Sequence, residues 1–441
     1  MKKLLLLIFI MTNIAAVAQP VKTPAEDNGY SKPSSYREIV QFIEDIDKFS
    51  ELVSTEVIGR SVEGRNIYAL KFSKSGIRPT QTKIKILIQA QQHGNEQSGK
   101  EGALLLAKEL IKPQYSYLFD KIDLVLVPQV NPDGSELNVR RNSNKADLNR
   151  NHLIMTEPEV IALHALFDKY LFEVTMDVHE YYPYSEDWIK AGYRKNSDVL
   201  IGFNTNPQIS ASLRDYQKRL YMPFWSNYMS ARGVSNGMYS PGGPTEDIYV
   251  RYSTFDINDG RQSYGIQNTL SFIQEGMNGE DSYVDNLSHR ARSQFTGMLA
   301  LLEFVHKNCS EIKSMVDNGR RELISPPADE KVALQMEHIS DGTTLKLPVF
   351  SYLSKRDSTV QIKNFRPLVK PTLSTLKPFG YLIPRSDTLL MKWVGRLGFK
   401  IAQLCSPEKY ILEQISLTAI DSVDFEGDMI PFPKISTNEV K

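Results

Sequence analysis

The sequence predicts an α/β fold, a mixed, mostly parallel sheet sandwiched by helices, followed by a smaller β-rich accessory domain. Three observations predict it. Apolar, β-prone runs alternate with helix-period stretches from about residue 83 to 308, as in strands joined by helical crossovers. Short polar motifs follow those runs at their carboxyl ends, where open α/β sheets gather their ligands. Beyond about residue 324 the texture shifts to short β-prone runs separated by Pro-bearing turns such as Ser325-Pro326-Pro327.

Element by element, Met1-Lys2-Lys3 supplies a positive start, residues 4–10 an apolar core, and Ala16-Val17-Ala18 a small-residue cleavage site. Residues 1–18 therefore read as a signal peptide, with a mature chain beginning at Gln19. Residues 19–35 are polar and rich in Pro and Gly, a linker. A helix is predicted over 36–49, and a hairpin over 56–72 carrying Gly59-Arg60-Ser61-Val62-Glu63-Gly64-Arg65. Strand 83–90, helix 98–111, strand 121–130, helix 157–169 and strand 172–178 come next. Strand 269–274 and a closing helix over 281–308 complete the large domain. The accessory domain, 320–441, is read from β-prone runs at 344–352, 359–365 and 410–420. One amphipathic helix interrupts them, with Ser386 as N-cap, Leu389, Leu390, Trp393, Val394 and Leu397 on one side, and Gly398 as its stop.

At 441 residues the chain exceeds what a single core usually supports. Lys plus Arg equals Asp plus Glu at 52 each, which excludes bulk attraction to nucleic acid or to an anionic membrane. No later apolar run is long enough for an integral span after signal removal. The expected location is outside the cytoplasm, periplasmic or secreted. Cys309 and Cys405 are the two cysteines; export permits a bridge between them, and two separate thiols are equally compatible.

His93-Gly94-Asn95-Glu96 follows the strand at 83–90 and offers two metal donors one turn apart. A His-x-x-Glu alone is weak evidence. His179, in Asp177-Val178-His179 at another strand end, adds a third donor. A hydrolytic zinc site needs three protein ligands and one open position, and one zinc per chain is the expectation. The remaining histidines read as bland: His164 and His306 on helices, His152 and His289 on loop or helix surface, His338 outside the large domain. Asp147 fits a carboxylate that orients His93 through its second nitrogen, or a turn cap.

Taken with Asn131-Pro132-Asp133-Gly134, Arg140-x-Asn142, Asp147-Leu148-Asn149-Arg150-Asn151, Glu157-Pro158-Glu159 and the strand-ending Glu275, these motifs resemble the zinc carboxypeptidases of the carboxypeptidase A/B type. Order and spacing match over about residues 36–308, the catalytic domain. The resemblance implies a carboxypeptidase-like sheet sandwich and a zinc peptidase acting on peptides with a free C-terminal carboxylate. It places His93, Glu96 and His179 on zinc, Asp147 behind His93, and Arg140 on the scissile carbonyl. Asn149 and Arg150 would hold the terminal carboxylate, with Glu275 as general base. Tyr239 is the best match to the family's active-site tyrosine, with Tyr249, Tyr252 and Tyr264 as alternatives. Asn95 stands where pancreatic-type members carry Arg. Those roles agree with the chemistry: a carboxylate base moves the proton of water, and a guanidinium stabilises an oxyanion or grips a carboxylate. Two other functions fit the same motifs, a peptidoglycan peptide hydrolase and a catalytically silent peptide-binding protein. A retained Glu275 argues against silence, because a binder needs no base.

Overall fold

The computed structural model describes residues 21–78, 82–244, 248–281, 283–327, 329–406, 409, 412–425 and 428–440. The proposed signal peptide and its cleavage point at 18/19, together with Glu246 and Asp247, lie outside the described residues. The chain divides into two compact units between Leu382 and Ile383.

In the first unit the strands in chain order are β1 Val53–Arg60, β2 Asn66–Phe72, β3 Ile84–Ala90, β4 Ile122–Val127, β5 Val174–Tyr181, β6 Tyr193–Lys195, β7 Val199–Gly202, β8 Asn236–Met238, β9 Val250–Arg251 and β10 Leu270–Met277. Eight of them form one sheet in the order β1-β2-β4-β3-β5-β10-β7-β8. Its centre, β4-β3-β5-β10, is parallel. The β1–β2 hairpin and β7 run antiparallel to their inner neighbours. Every residue of β3, β4 and β5 is buried, as expected of strands covered on both faces.

Alternation along each strand sends side chains to opposite faces. Ile86, Ile88, Leu124, Leu126, Met176, Val178 and Phe272 join a core with the helices Gln97–Leu110 and Leu287–Lys307. Leu87, Val125 and Val127 face the other way, onto Leu163 and Phe167 of the helix Pro158–Tyr170. On that second face the strand ends turn polar, with Gln89, Asp177 and His179 in place of aliphatics. The predicted helix at 36–49 is present as Tyr36–Phe49, with Ser35 and Glu38 forming a reciprocal cap. The expected linker at 19–35 contains a short helix, Pro24–Asp27, with its own capping box at Thr23.

Two expectations need correction. A separate domain from residue 320 is not what forms. The helix Cys309–Ile324 and five strands, β11 Lys331–Ile339, β12 Leu345–Ser351, β13 Arg356–Ile362, β14 Phe365–Arg366 and β15 Leu368–Leu376, fall in the first unit. The physical reason is pairing: β12 adds to β6 and β14 adds to β9. Leu347, Val349, Ile362 and Phe365 are buried in the main core. The second unit holds the predicted amphipathic helix, Thr388–Arg396, and an antiparallel pair, β16 Leu412–Phe425 with β17 Asp428–Val440. Its N-cap is Asp387, not Ser386, because the Asp387 carboxylate accepts from Leu390 N at 3.0 Å. Both cysteines are free, Cys309 half-buried and Cys405 exposed. No helix among the described residues is long and apolar enough to cross a membrane.

Candidate metal centre and active site

The turn after β3 sets the first two donors. His93 leaves the strand, Glu96 N–H donates to His93 O at 3.2 Å, and Glu96 then precedes the helix Gln97–Leu110. This turn requires glycine at 94, since a Cβ there would meet Gly134 C at 2.1 Å. The backbone of Asn131-Pro132-Asp133-Gly134 therefore presses directly on the His93 turn. Asn131 Oδ1 accepts from Gly134 N at 2.9 Å to hold that shape. Asp133 in turn accepts from Ser61 Oγ at 2.8 Å and Arg65 at 2.6 Å, which is why the β1–β2 hairpin carries those residues.

His179 reaches the same place from β5. Nδ1 of His179 lies 3.1 Å from Nδ1 of His93 and 3.1 Å from Glu96 Oε2, and His93 Nδ1 lies 2.7 Å from Glu96 Oε1. All three residues are buried. Two imidazole Nδ1 atoms this close need a shared proton or cation between them. Donors bound to one tetrahedral zinc at about 2.0–2.1 Å sit about 3.3 Å apart, so the donor set and its spacing fit zinc. Each far nitrogen faces a carboxylate: His93 Nε2 hydrogen-bonds Asp147 Oδ1 at 3.0 Å, and His179 Nε2 makes an ion-pair contact with Asp177 Oδ2 at 3.0 Å. That arrangement presents Nδ1 of each ring to the shared centre.

Charges follow this geometry. Burial pushes the Glu96 carboxyl up, but His93 and His179 outweigh it and hold Glu96 well below the usual range. Burial likewise opposes ionisation of Asp147, yet His93, Arg140 and Arg150 keep its carboxyl far below the ordinary value. For His179 burial disfavours the charged form, while Asp177 and Glu96 raise its pKa well above normal. The buried carboxylates of Glu96, Asp147 and Asp177 thus favour positive charge on the two histidines between them.

Arg140 closes one side. Its Nε donates to Asp147 Oδ2 at 3.0 Å, and its Nη1 lies 3.2 Å from His93 Nδ1 and 3.6 Å from Glu96 Oε1. Asn149 and Arg150 follow on a single 3-10 turn, Leu148–Arg150, capped by Asp147. Asn149 Oδ1 accepts from Gly260 N at 2.8 Å, and Arg150 Nη1 donates to Asn149 O at 2.9 Å. Glu275 stands on β10 in register with His179 on β5, so the two side chains share a face; β10 itself continues to Met277. Leu200 of β7 is opposite Glu275 on the other side.

Tyr239 directly follows β8, is partly exposed, and donates its N–H to Ile201 O at 2.8 Å. Tyr264 is sealed in the apolar cluster and stacked on Phe167, and Tyr252 is buried against Phe203. Tyr249 is covered by the Arg366 guanidinium at 3.9 Å. One residue escaped the sequence reading. His152, expected on a surface, is 1% exposed, and its Nε2 lies 2.8 Å from Gln92 Oε1. A lone loop histidine gives no signal of this, because its partner is far away in sequence.

Comparison with known proteins points the same way as the geometry. A profile of the family described as zinc carboxypeptidase matches residues 39–229, ending before β10. Carboxypeptidase 2 of Trichophyton rubrum is 24% identical over 386 residues, covering 83% of this chain and 69% of that protein. Human carboxypeptidase D is 27% identical over 285 residues, 56% of this chain and 20% of that protein. Among solved structures, a metallo-carboxypeptidase from Pseudomonas aeruginosa in complex with (2-guanidinoethylmercapto)succinic acid superposes with a TM-score of 0.49 and 23% identity, covering 64% of this chain and 70% of that one. Over residues 39–229 the chain is thus similar to the zinc carboxypeptidase family, and its His-Glu-His cluster lies at the strand ends of that region.

Proposed function

We propose that the chain is an exported zinc metallocarboxypeptidase that hydrolyses the C-terminal peptide bond of peptides. The observation that carries this is the convergence of His93, Glu96 and His179 within 4.8 Å of one another, with Glu275 in register beside them. Those three side chains would hold one zinc ion. When bound, zinc polarises the scissile carbonyl and brings the pKa of water toward neutrality.

The chain's own groups supply the rest. Glu275 takes the proton of the attacking water and returns it to the leaving amine. Arg140, anchored by Asp147, places positive charge where the tetrahedral oxyanion develops. Asp147 also holds His93 with its Nδ1 lone pair toward the centre. Asn149 and Arg150, one turn beyond Asp147, receive the terminal carboxylate of the substrate, for which a guanidinium is the better-matched partner. Tyr239 contributes to substrate binding from the β8 edge. Export rests on the positively charged, apolar amino-terminal segment.

Incubation of the purified chain with a peptide library, read by mass spectrometry with and without a chelator, tests this. Products shortened by single residues from the carboxyl end, absent with chelator, are expected. Internal cleavage, or shortening that survives the chelator, contradicts it.

A further inference from the structure

Behind His179 runs a line of buried polar side chains to which the proposed mechanism assigns no part. Asp177 Oδ2 lies 3.0 Å from His179 Nε2 and accepts from Gln92 Nε2 at 2.6 Å. Gln92 Oε1 lies 2.8 Å from His152 Nε2, and His152 Nδ1 lies 3.1 Å from His164 Nε2. Gln92, His152, His164, Asp177 and His179 are all buried. They come from the end of β3, a loop after residue 151, the helix Pro158–Tyr170 and β5. Nothing local in sequence would bring them together.

The chemistry of the groups gives the line one direction. A carboxylate accepts only, so Gln92 must present its NH2 to Asp177 and therefore its carbonyl to His152. A carbonyl also accepts only, so His152 carries its proton on Nε2 and accepts at Nδ1 from His164 Nε2–H. Each member donates toward Asp177. At the other end Asp177 Oδ2 lies 3.0 Å from His179 Nε2, an ion-pair contact that favours a proton on Nε2 and leaves Nδ1 as the nitrogen facing His93 and Glu96. Both relay histidines stay neutral, as this pattern requires: burial together with His164 pushes His152 down to about 3, and burial pushes His164 down to about 4.

Two further contacts show that the line is built for this place. A Cβ at Gly260 would lie 2.6 Å from Asp177 Oδ2, 3.0 Å from Gln92 Nε2 and 3.1 Å from His152 Nε2, so residue 260 can only be glycine while the relay is intact. Gly260 N–H then donates to Asn149 Oδ1, which also lies 3.5 Å from Gln92 Nε2. The hub at Gln92 thus touches both the carboxylate that orients a metal donor and the amide assigned to the substrate.

We infer that Gln92 and His152 are positioning residues which, through Asp177, fix the tautomer and orientation of His179 and so set the zinc affinity of the site. The inference rests on the zinc reading given above. Groups that orient metal-bound histidines commonly change metal affinity by about 10–100-fold when lost. The test measures the zinc dissociation constant of the full chain by competition with a chelator of known affinity, together with the melting temperature of the metal-free protein. His152→Phe keeps the ring that packs edge-on against Tyr264 but removes both nitrogens. Gln92→Met keeps length and removes the amide.

Each variant is expected to weaken zinc binding about tenfold, and the double variant no more than about twofold beyond the weaker-binding single one, because one line can be broken only once. Saturating zinc is expected to restore most of kcat. A purely structural role would lower the melting temperature and leave the zinc constant alone. Zinc constants within about threefold of wild type for both variants, or penalties that multiply in the double variant, overturn the relay. If His152→Phe does not fold, Gln92→Met carries the same expectation by itself. Failure of the wild type to bind zinc removes the site reading, and the relay with it.

Discussion

Asp147→Asn asks the site to give up one function or another. The two oxygens of Asp147 serve different partners: Oδ1 faces His93 Nε2 at 3.0 Å and accepts from Asn149 N at 2.9 Å, whereas Oδ2 faces Arg140 Nε at 3.0 Å and Nη2 at 2.9 Å. All of these partners are donors. An amide can keep its oxygen on one side only, so its NH2 must oppose either His93 or the Arg140 fork. Loss of a charge-assisted hydrogen bond costs about 1.5–3 kcal/mol, roughly 10- to 150-fold in an equilibrium or rate. If the NH2 faces Arg140, kcat falls by that factor with zinc affinity nearly kept. If it faces His93, zinc affinity falls instead. Chelator competition and steady-state kinetics on the same preparation separate the two. Zinc affinity and kcat both within threefold of wild type would refute the claim that Asp147 organises His93 and Arg140 together.

Further outcomes follow from the same geometry. Glu275→Gln should keep zinc and substrate binding and lose about 10²–10⁴-fold in kcat; wild-type turnover at equal zinc content would assign the base elsewhere. His164 is held neutral in the fold with its pKa pushed down to about 4, whereas the unfolded side chain titrates near 6.5. Between those values the unfolded chain binds the extra proton, so stability falls as pH drops below about 6.5, and the loss is complete near 4. His164→Leu should therefore lose less stability than wild type between pH 7 and pH 5 in urea unfolding, and an unchanged difference would refute the buried-neutral assignment. Truncation after Leu382 should leave a folded unit that keeps its hydrolytic activity, whereas truncation after Ile324 should not, because it removes the buried Leu347, Val349, Ile362 and Phe365. Equal behaviour of the two truncations in circular dichroism and activity assays would contradict the boundary.

Much of the catalytic sheet was legible because its strands are long, apolar and buried on both faces, so period and length were unambiguous in segments such as Ile84–Ala90. The His-Glu-His cluster was legible because His93 and His179 stand at the carboxyl ends of apolar runs. What lay hidden was non-local. The pairing of β12 with the three-residue strand Tyr193–Lys195 attaches the β11–β15 region to the first unit, and strands that short carry no periodic signal. His152 was misread for a related reason: its burial comes from Gln92, His164 and the approach of Gly260, none of them neighbours in the chain. The cap at Asp387 in place of Ser386 is a shift of one residue between two good capping types, a difference that composition cannot resolve.

The central claim is that a metal-bearing site here reads a free carboxyl terminus through Arg150. The direct measurement is kcat/KM for one peptide as its free acid and as its C-terminal amide, with wild type and Arg150→Ala, in zinc-loaded protein. A charge-assisted bond of about 1.5–3 kcal/mol predicts at least roughly tenfold preference of wild type for the acid. Arg150→Ala should erase most of that preference by slowing cleavage of the acid while leaving the amide nearly unchanged. Equal rates on acid and amide in the wild type, or an undiminished preference in Arg150→Ala, would contradict the account.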